Sequence, residues 1–241
     1  MIKKINWFDV FLGFVIALMS SLLVFASKRN DARYVEKVDV KFLSSNNHFI
    51  TQEMVEKLIV QNFSDDGTMP KGKLDLKSIE EQLNNHPMIA HSEVYVGVDG
   101  KLYAEVAQKT AVGRVINAGT SYYIDANGNQ MPLSEQFSAH VPIVSGQLKA
   151  ENKERFTELL NEIFYDEFLK TTLTGIHINP DQSLIFSVRN FDYQIEFGHL
   201  KEIDRKLDNY KAFVHYSVND TMITHYKNIN LRFTEQVVCT K

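Results

Sequence analysis

The strongest pattern in the chain is an apolar run over residues 7–26, WFDVFLGFVIALMSSLLVFA, which contains one charged side chain, Asp9. A helix rises about 1.5 Å per residue, so 20 residues reach across the roughly 30 Å hydrocarbon core of a bilayer. The pattern predicts a transmembrane helix over residues 7–26, after a tail of residues 1–6.

A cleaved signal peptide is the alternative, because Val24 and Ala26 are small residues before a possible cut at Ser27. The apolar run is longer than the core of about 7 to 15 residues that is typical of signal peptides, and this favours an uncleaved anchor.

Basic residues flank the apolar run on both sides, with Lys3 and Lys4 before it and Lys28, Arg29 and Arg33 after it. The distribution of charge therefore does not decide the orientation. A six-residue tail has no room for a domain, whereas long segments are translocated largely regardless of their charge. We expect the N-terminus in the cytoplasm and residues 28–241 outside it.

Residues 27–37 are charged and lack an apolar period, which is typical of a linker. Alternation of Val38, Val40 and Phe42 with polar residues then predicts a strand. Thr51 is a suitable N-cap for an amphipathic helix over residues 52–63, centred on Leu58.

Residues 64–73 carry Gly, Pro and Asp and predict a loop. Asp75 is a suitable cap for a second helix, with Leu76, Ile79 and Leu83 facing inward, and the pair His86-Pro87 ends it. Two alternating runs at 91–98 and 101–108 meet at Asp99-Gly100, which predicts a hairpin. The order β-α-α-β-β predicts a compact domain over residues 38–110.

The remaining residues, 111–241, predict a second domain rich in strands. A turn at Ala126-Asn127-Gly128 joins two strands, and residues 140–146 add another. Helical spacing of apolar residues predicts helices over 151–170 and 200–215, and strands at 174–178, 183–189 and 193–198 form a meander between them. The closing segment 229–238 predicts one strand, with Ile229, Leu231 and Phe233 inward and Asn230, Arg232 and Thr234 outward.

Charge and composition exclude several classes of protein. Lys3, Lys4 and Asp9 precede residue 28, so 24 of the 26 basic and 29 of the 30 acidic residues follow, a net charge of −5. This balance provides no basic field for nucleic acid. A lone cysteine, Cys239, excludes a disulfide scaffold.

No spacing typical of catalysis, of a cofactor site or of a zinc site occurs in the sequence. The acidic pairs Asp65-Asp66 and Glu80-Glu81 are typical of solvated surface, because adjacent side chains do not converge on one point. Aromatic residues such as Tyr122 and Phe191 fit a core better than a sugar site. We therefore expect no catalytic residues, no metal, no cofactor and no small-molecule substrate.

Several segments resemble the FtsQ/DivIB family of bacterial cell-division proteins, which carries a POTRA-type domain before a β domain. In the first domain they are HPMIAHSEVYV at 86–96, GVDGK at 97–101 and EVAQKTAVGRV at 105–115. In the second they are YYIDANGNQMPL at 122–133, VPIVSG at 141–146 and the closing NLRF at 230–233. The chain departs from the family at Val98 to Gly100, where many relatives carry Trp-Pro, and at Ala111, where they carry Pro.

The resemblance implies an α+β protein with a transmembrane helix (7–26), a linker (27–37), a POTRA-type domain (38–110) and a mixed β domain with two packed helices (111–241). It implies a non-enzymatic divisome scaffold in the cytoplasmic membrane at the septum, which links early and late division proteins. The partners that the resemblance implies are FtsB/FtsL-like coiled-coil proteins and other division proteins, which would bind the closing edge strand. The expected contact residues are Ile229, Leu231, Arg232, Phe233, Thr234, Glu235, Gln236 and Val237.

Two other functions are open to a membrane-anchored chain with a POTRA-type domain. One is a factor for membrane-protein insertion or secretion, although residues 111–241 are too few for a large barrel and predict two charged amphipathic helices. The other is a membrane-tethered cell-wall hydrolase, which would need a catalytic motif such as S-x-x-K that the sequence does not contain.

Overall fold

A computed structural model describes residues 7–35, 37–43, 48–61, 63, 69–117, 119–217, 223 and 225–241. The predicted tail, residues 1–6, lies outside this set. The chain forms two compact units, residues 1–45 with 50–108 and residues 46–49 with 109–241. Both combine helices with β-sheet, so the predicted α+β class is confirmed.

The first unit begins with α1 (Trp7–Asp31), whose apolar side chains are largely exposed. Of the helices in the described residues, α1 alone is long and apolar enough to cross a membrane, over Val10–Asp31. The helix does not end at Ala26 as predicted, because residues 27–31 continue it. Lys28 and Arg29 lie in its last turn, where a positive charge interacts favourably with the helix dipole.

A three-stranded sheet forms the centre of the first unit. Its order is β2 (Val38–Phe42), β5 (Leu102–Gln108) and β4 (Ile89–Val96), with β2 parallel and β4 antiparallel to β5. Gly100 has φ +86°, the left-handed conformation that the predicted Asp99-Gly100 turn requires.

Two helices of the first unit, α2 (Gln52–Val60) and α3 (Leu76–Asn84), contribute side chains to its core. Thr51 Oγ1 accepts a hydrogen bond from Met54 N at 3.3 Å, and Asp75 Oδ1 accepts one from Ser78 N at 3.1 Å, so both predicted caps are confirmed. The predicted order β-α-α-β-β is present.

The helix α2 differs from its prediction in its length and in the position of Leu58, which is not at the centre of the buried face. It ends at Val60 rather than at residue 63, and Val55 and Ile59, not Leu58, are fully buried. Leu58 packs at the margin of the core and is only partly buried.

The predicted loop 64–73 contains two short elements in its described part, whereas residues 64–68 lie outside it. β3 (Met69–Pro70) pairs antiparallel with β1 (Tyr34–Val35), and a 3₁₀ helix follows at Lys71–Lys73. The Gly, Pro and Asp residues predict an irregular segment. They do not predict the pairing of β3 with β1, because β1 is distant from them in the sequence.

The second unit contains a sheet whose described strands number nine. Their order is β14-β13-β12-β11-β10-β9-β6-β7-β8. In chain order the strands are β6 (Ala111–Asn117), β7 (Thr120–Asp125), β8 (Gln130–Met131), β9 (Ile143–Gly146), β10 (Leu173–Ile178), β11 (Leu184–Val188), β12 (Gln194–Gly198), β13 (Asn228–Asn230) and β14 (Val238–Thr240). The predicted meander of β10, β11 and β12 is confirmed by antiparallel pairing.

Helices α4 (Lys153–Tyr165), α5 (Glu167–Thr172) and α6 (Ile203–Ser217) supply buried side chains to the core of the second unit. The prediction of one helix over residues 151–170 is wrong, because Asp166 interrupts it with an extended backbone (φ −93°, ψ 114°). Its carboxylate accepts a hydrogen bond from Leu169 N at 3.0 Å and so begins a new helix. The side chain that breaks α4 is therefore the cap of α5.

The closing segment is not the single strand that alternation predicts over residues 229–238. β13 ends at Asn230, residues 231–237 are irregular, and β14 returns antiparallel to β13. The Asn230 side chain accepts a hydrogen bond from Arg232 N at 2.9 Å, a local turn contact that ends the strand. The expectation that this segment is the edge strand of the sheet is also wrong for β13, because β14 pairs with it on its outer side.

Candidate partner-binding surface

β14 is the outermost strand at one end of the nine-stranded sheet. It pairs with β13 through the register Asn228↔Thr240, Ile229↔Cys239 and Asn230↔Val238. No other described strand lies beside it, so its outer backbone groups are available to another chain. This end of the sheet is a suitable place for strand addition.

The side chains of β14 alternate between solvent and core. Val238 is exposed, whereas the half-buried Cys239 packs against the core of the second unit. Burial raises the pKa of the Cys239 thiol, which lowers the fraction of reactive thiolate below that of an exposed cysteine. Cys239 therefore contributes packing rather than chemistry.

Of the eight predicted contact residues, three belong to the interior of the second unit. Ile229 and Leu231 are buried in the core, and Val237 is half-buried against it. The inward prediction for Ile229 and Leu231 is thus confirmed. Ile229 and Leu231 hold the edge in place from the core, whereas Val237 keeps part of its side chain exposed.

Phe233 is 52% exposed, so the prediction that it faces inward is wrong. Alternation fails here because β13 ends at Asn230 and the chain is irregular at Phe233. The structure thus presents a large aromatic side chain on the surface, close in sequence to β14. Glu235 and Gln236 are exposed as well.

Three contacts that involve side chains attach the 231–237 segment to β12 and α6. Arg232 Nη2 lies 3.1 Å from Glu196 Oε2, and Arg205 Nη2 lies 2.6 Å from Glu235 Oε1. The carbonyl of Thr234 accepts a hydrogen bond from Asn209 Nδ2 at 2.9 Å. Thr234 thus helps to fix the segment that presents Phe233.

Glu196 on β12 connects the last strands of the sheet. Its carboxylate accepts hydrogen bonds from the side-chain amides of Asn228 and Asn230 on β13, the latter at 3.0 Å. Its backbone carbonyl accepts Leu231 N at 2.9 Å. A charged acceptor with two amide donors stabilises a parallel pairing that has only three residues in register.

Lys206 on α6 was not identified from the sequence, although it lies three residues after Ile203 on the apolar stripe. It is 4% exposed, and its Nζ donates to the carbonyls of Phe197 at 3.0 Å and His199 at 2.9 Å. Burial lowers the pKa of Lys206. The residue ties α6 to the end of β12 and, with Arg232 and Thr234, lines a pocket of about 470 Å³.

Within the described residues, no group of three or more His, Cys, Asp or Glu side chains is arranged to hold a metal ion. Ser145 Oγ lies 2.9 Å from His177 Nδ1 on the adjacent strands β9 and β10. Such a contact by itself does not make a nucleophilic site, which also needs a group that orients the base and a place for the reacting atom.

Comparisons with known proteins identify two regions of the chain. A family model described as "FtsQ/DivIB, C-terminal related" matches residues 110–240, and a "POTRA-like domain" model matches residues 33–107. A "Cell division protein FtsQ" from Geotalea daltonii is 26% identical over an alignment of 180 residues, which covers 70% of this chain and 64% of that relative.

A solved structure of the major extracytoplasmic domain of the cell-division protein DivIB from Geobacillus stearothermophilus also matches, with 16% identity and a TM-score of 0.35. The match covers 47% of this chain and 97% of that domain.

Proposed function

Because this chain belongs to the FtsQ/DivIB family of cell-division proteins, we propose that it is a non-enzymatic scaffold of the divisome that links early and late division proteins. The observation that carries this proposal is the family model over residues 110–240, which includes β14 and the segment before it. The chain aligns with somewhat less than two thirds of its curated relative, so its activity and partners are part of the proposal.

In this proposal α1 is a single membrane span, with the N-terminus in the cytoplasm and both units outside it, at the division septum. The length and apolar character of α1 support the span. Protease added to inverted vesicles should leave residues 28–241 intact. Removal of the two units by protease in intact inverted vesicles would show the opposite orientation.

The partner-binding surface is the outer edge of β14 together with the exposed side chains of Phe233 and Val238. An FtsB/FtsL-like partner adds a strand to β14, so that backbone hydrogen bonds supply affinity and alternate side chains supply specificity. Phe233 is the aromatic anchor, since large aromatic residues dominate the energy of many interfaces. Arg232 and Glu235 set the electrostatic character of the rim around it.

The test is affinity isolation of the full chain from dividing cells, with the co-purifying division proteins quantified. Phe233→Ala should reduce recovery of the partner at least tenfold, because truncating a hot-spot residue costs about 2 kcal/mol or more. Val238→Lys should reduce it by a similar factor, because it places a charged side chain in the interface. Tyr165→Ala is the matched control, because Tyr165 is an aromatic side chain that is 72% exposed at the end of α4 and belongs neither to β14 nor to the 231–237 segment.

Truncation from Leu231 onward is not a suitable test, because it removes a buried core residue. Unchanged recovery with both folded edge variants would overturn the proposed surface.

Cell-wall hydrolysis by the purified full chain, measured by zymography, would overturn the non-enzymatic assignment.

A further inference from the structure

The end of α1 is attached directly to the folded part of the first unit. Lys71 N donates a hydrogen bond to the Arg33 carbonyl at 2.8 Å, and Val35 of β1 is buried in the core. A Cβ placed on Gly72 would lie 2.9 Å from Asp31 Cβ and 3.3 Å from the Asp31 carbonyl oxygen. The 3₁₀ helix Lys71–Lys73 therefore packs closely against the last turn of α1.

This packing brings together basic residues from two segments that are distant in the sequence. We define the basic collar as the side chains at the end of α1 and on the 3₁₀ helix: Lys28, Arg29, Arg33, Lys71 and Lys73. Four of them are exposed and Lys71 is half-buried. None of the described carboxylates forms an ion pair with any of these five side chains. One acidic residue, Asp31, lies in the described sequence between the basic residues at the end of α1.

The collar lies at the level of the lipid headgroups if α1 spans a bilayer. Twenty residues of helix cross the hydrocarbon core, and residues 27–31 extend about 7 Å further. The headgroup layer is about 5 to 8 Å thick on each side, so the last turn of α1 and the 3₁₀ helix packed on it lie within it. The whole chain carries a net charge of −4, so the net positive charge of the collar is opposite in sign to that of the chain.

We propose that the basic collar binds anionic phospholipid headgroups and so fixes the first unit against the membrane surface. This inference rests on the membrane span proposed above. Basic side chains at a bilayer surface are attracted to anionic lipid, and the attraction is screened by salt. Because the 3₁₀ helix and β1 belong to the folded unit, the contact fixes the orientation of that unit as well as that of α1.

The test uses the full chain in lipid nanodiscs that contain either neutral phosphatidylcholine alone or phosphatidylcholine with 30 mol% phosphatidylglycerol. Hydrogen exchange is measured in peptides that cover residues 27–35 and 69–74. The backbone amides there should exchange more slowly in the anionic discs, and 0.5 M NaCl should remove most of that difference.

The variant is Lys71→Gln/Lys73→Gln, with Lys149→Gln/Lys153→Gln in the second unit as the control of equal charge. A basic residue near an anionic surface contributes about fivefold in binding, or about 1 kcal/mol, so loss of two should weaken headgroup contact roughly 25-fold. The collar variant should therefore lose most of the lipid-dependent slowing, whereas the control should keep it. Unchanged exchange in β2 and β5 confirms that the variant is folded.

Equal exchange in neutral and anionic discs, or equal loss of slowing in the control, would overturn the inference. Alkaline extraction of the membranes separates this failure from failure of the span. A chain released at high pH overturns the span and the collar together. A chain that stays in the membrane but is indifferent to lipid charge overturns the collar alone.

Discussion

Removal of the Glu196 carboxylate should loosen the edge of the sheet on which the partner-binding surface depends. Glu196→Ala takes away the acceptor for the side-chain amides of Asn228 and Asn230, and it takes away the ion-pair partner of Arg232. Asn228 Oδ1 is already buried without a hydrogen-bond partner, so the Asn228 side chain has little alternative bonding. β13 contributes only three residues to the pairing with β12.

The expected magnitude follows from the exposure of each group. A hydrogen bond to a charged group contributes about 1.5 to 3 kcal/mol. The Glu196 side chain is 25% exposed, so water can replace part of each lost hydrogen bond. We therefore use about 1.5 kcal/mol for each amide. The two amides together give about 3 kcal/mol. The Arg232 side chain is 55% exposed, and such a surface ion pair contributes less than about 1 kcal/mol.

Native-state hydrogen exchange reads this free energy locally. In Glu196→Ala the amides of β12 and β13 should exchange roughly 100-fold faster, whereas Arg232→Ala should change them less than about fivefold. Glu235→Ala is the control, because its carboxylate pairs with Arg205 and is 78% exposed. The reasoning fails if Arg232→Ala accelerates exchange as much as Glu196→Ala does.

Two further predictions concern the first unit. Leu83→Ala removes a fully buried side chain and should lower the free energy of unfolding by about 2 to 5 kcal/mol, whereas Leu58→Ala should cost less; equal shifts in a urea titration would contradict the structure. Burial lowers the pKa of His86 in the folded chain. Below about pH 6.5 the His86 side chain is therefore protonated in the unfolded chain while it is still largely neutral in the folded chain. The stability of the first unit should therefore fall as the pH drops from 6.5 through the lowered pKa, and His86→Asn should flatten that dependence; an identical pH profile in the variant would refute it.

Local patterns predicted those elements whose determinants lie within a few residues. Thr51 and Asp75 cap helices by bonding amides three residues ahead, and Gly100 takes the positive φ of its turn. Such contacts depend on neighbours in the sequence, which is why the β-α-α-β-β order and the meander could be predicted. The family resemblance, which the comparisons confirm, also rested on local motifs.

The boundaries that the sequence missed depend on interactions that hydrophobic periodicity does not record. The helical spacing of apolar residues continues on both sides of Asp166. The Asp166 carboxylate nevertheless caps α5 and so divides the predicted helix in two. Alternation continues past Asn230, yet its side chain bonds Arg232 N and ends β13. In both places a short polar side chain bonds the backbone and outweighs the apolar pattern.

The sequence predicted a partner-binding strand over residues 229–238, and the structure builds that segment differently. Leu231 is part of the core, Phe233 is on the surface, and the outermost strand is β14 rather than the segment before it. The pairing of β14 with β13 determines which strand is outermost in the sheet. This pairing joins two separate strands, and the hydrophobic pattern within each strand does not predict it. The collar is non-local in the same way, because Lys71 and Lys73 meet α1 only through folding.

The most direct test of the central claim is site-specific photo-cross-linking in dividing cells. A photoreactive amino acid replaces Val238, Phe233 or, as the control, Tyr165 in the full chain. The account predicts cross-links from Val238 and Phe233 to an FtsB/FtsL-like division protein and none from Tyr165. Cross-links to that partner from Tyr165 alone, with Val238 and Phe233 silent, would contradict it.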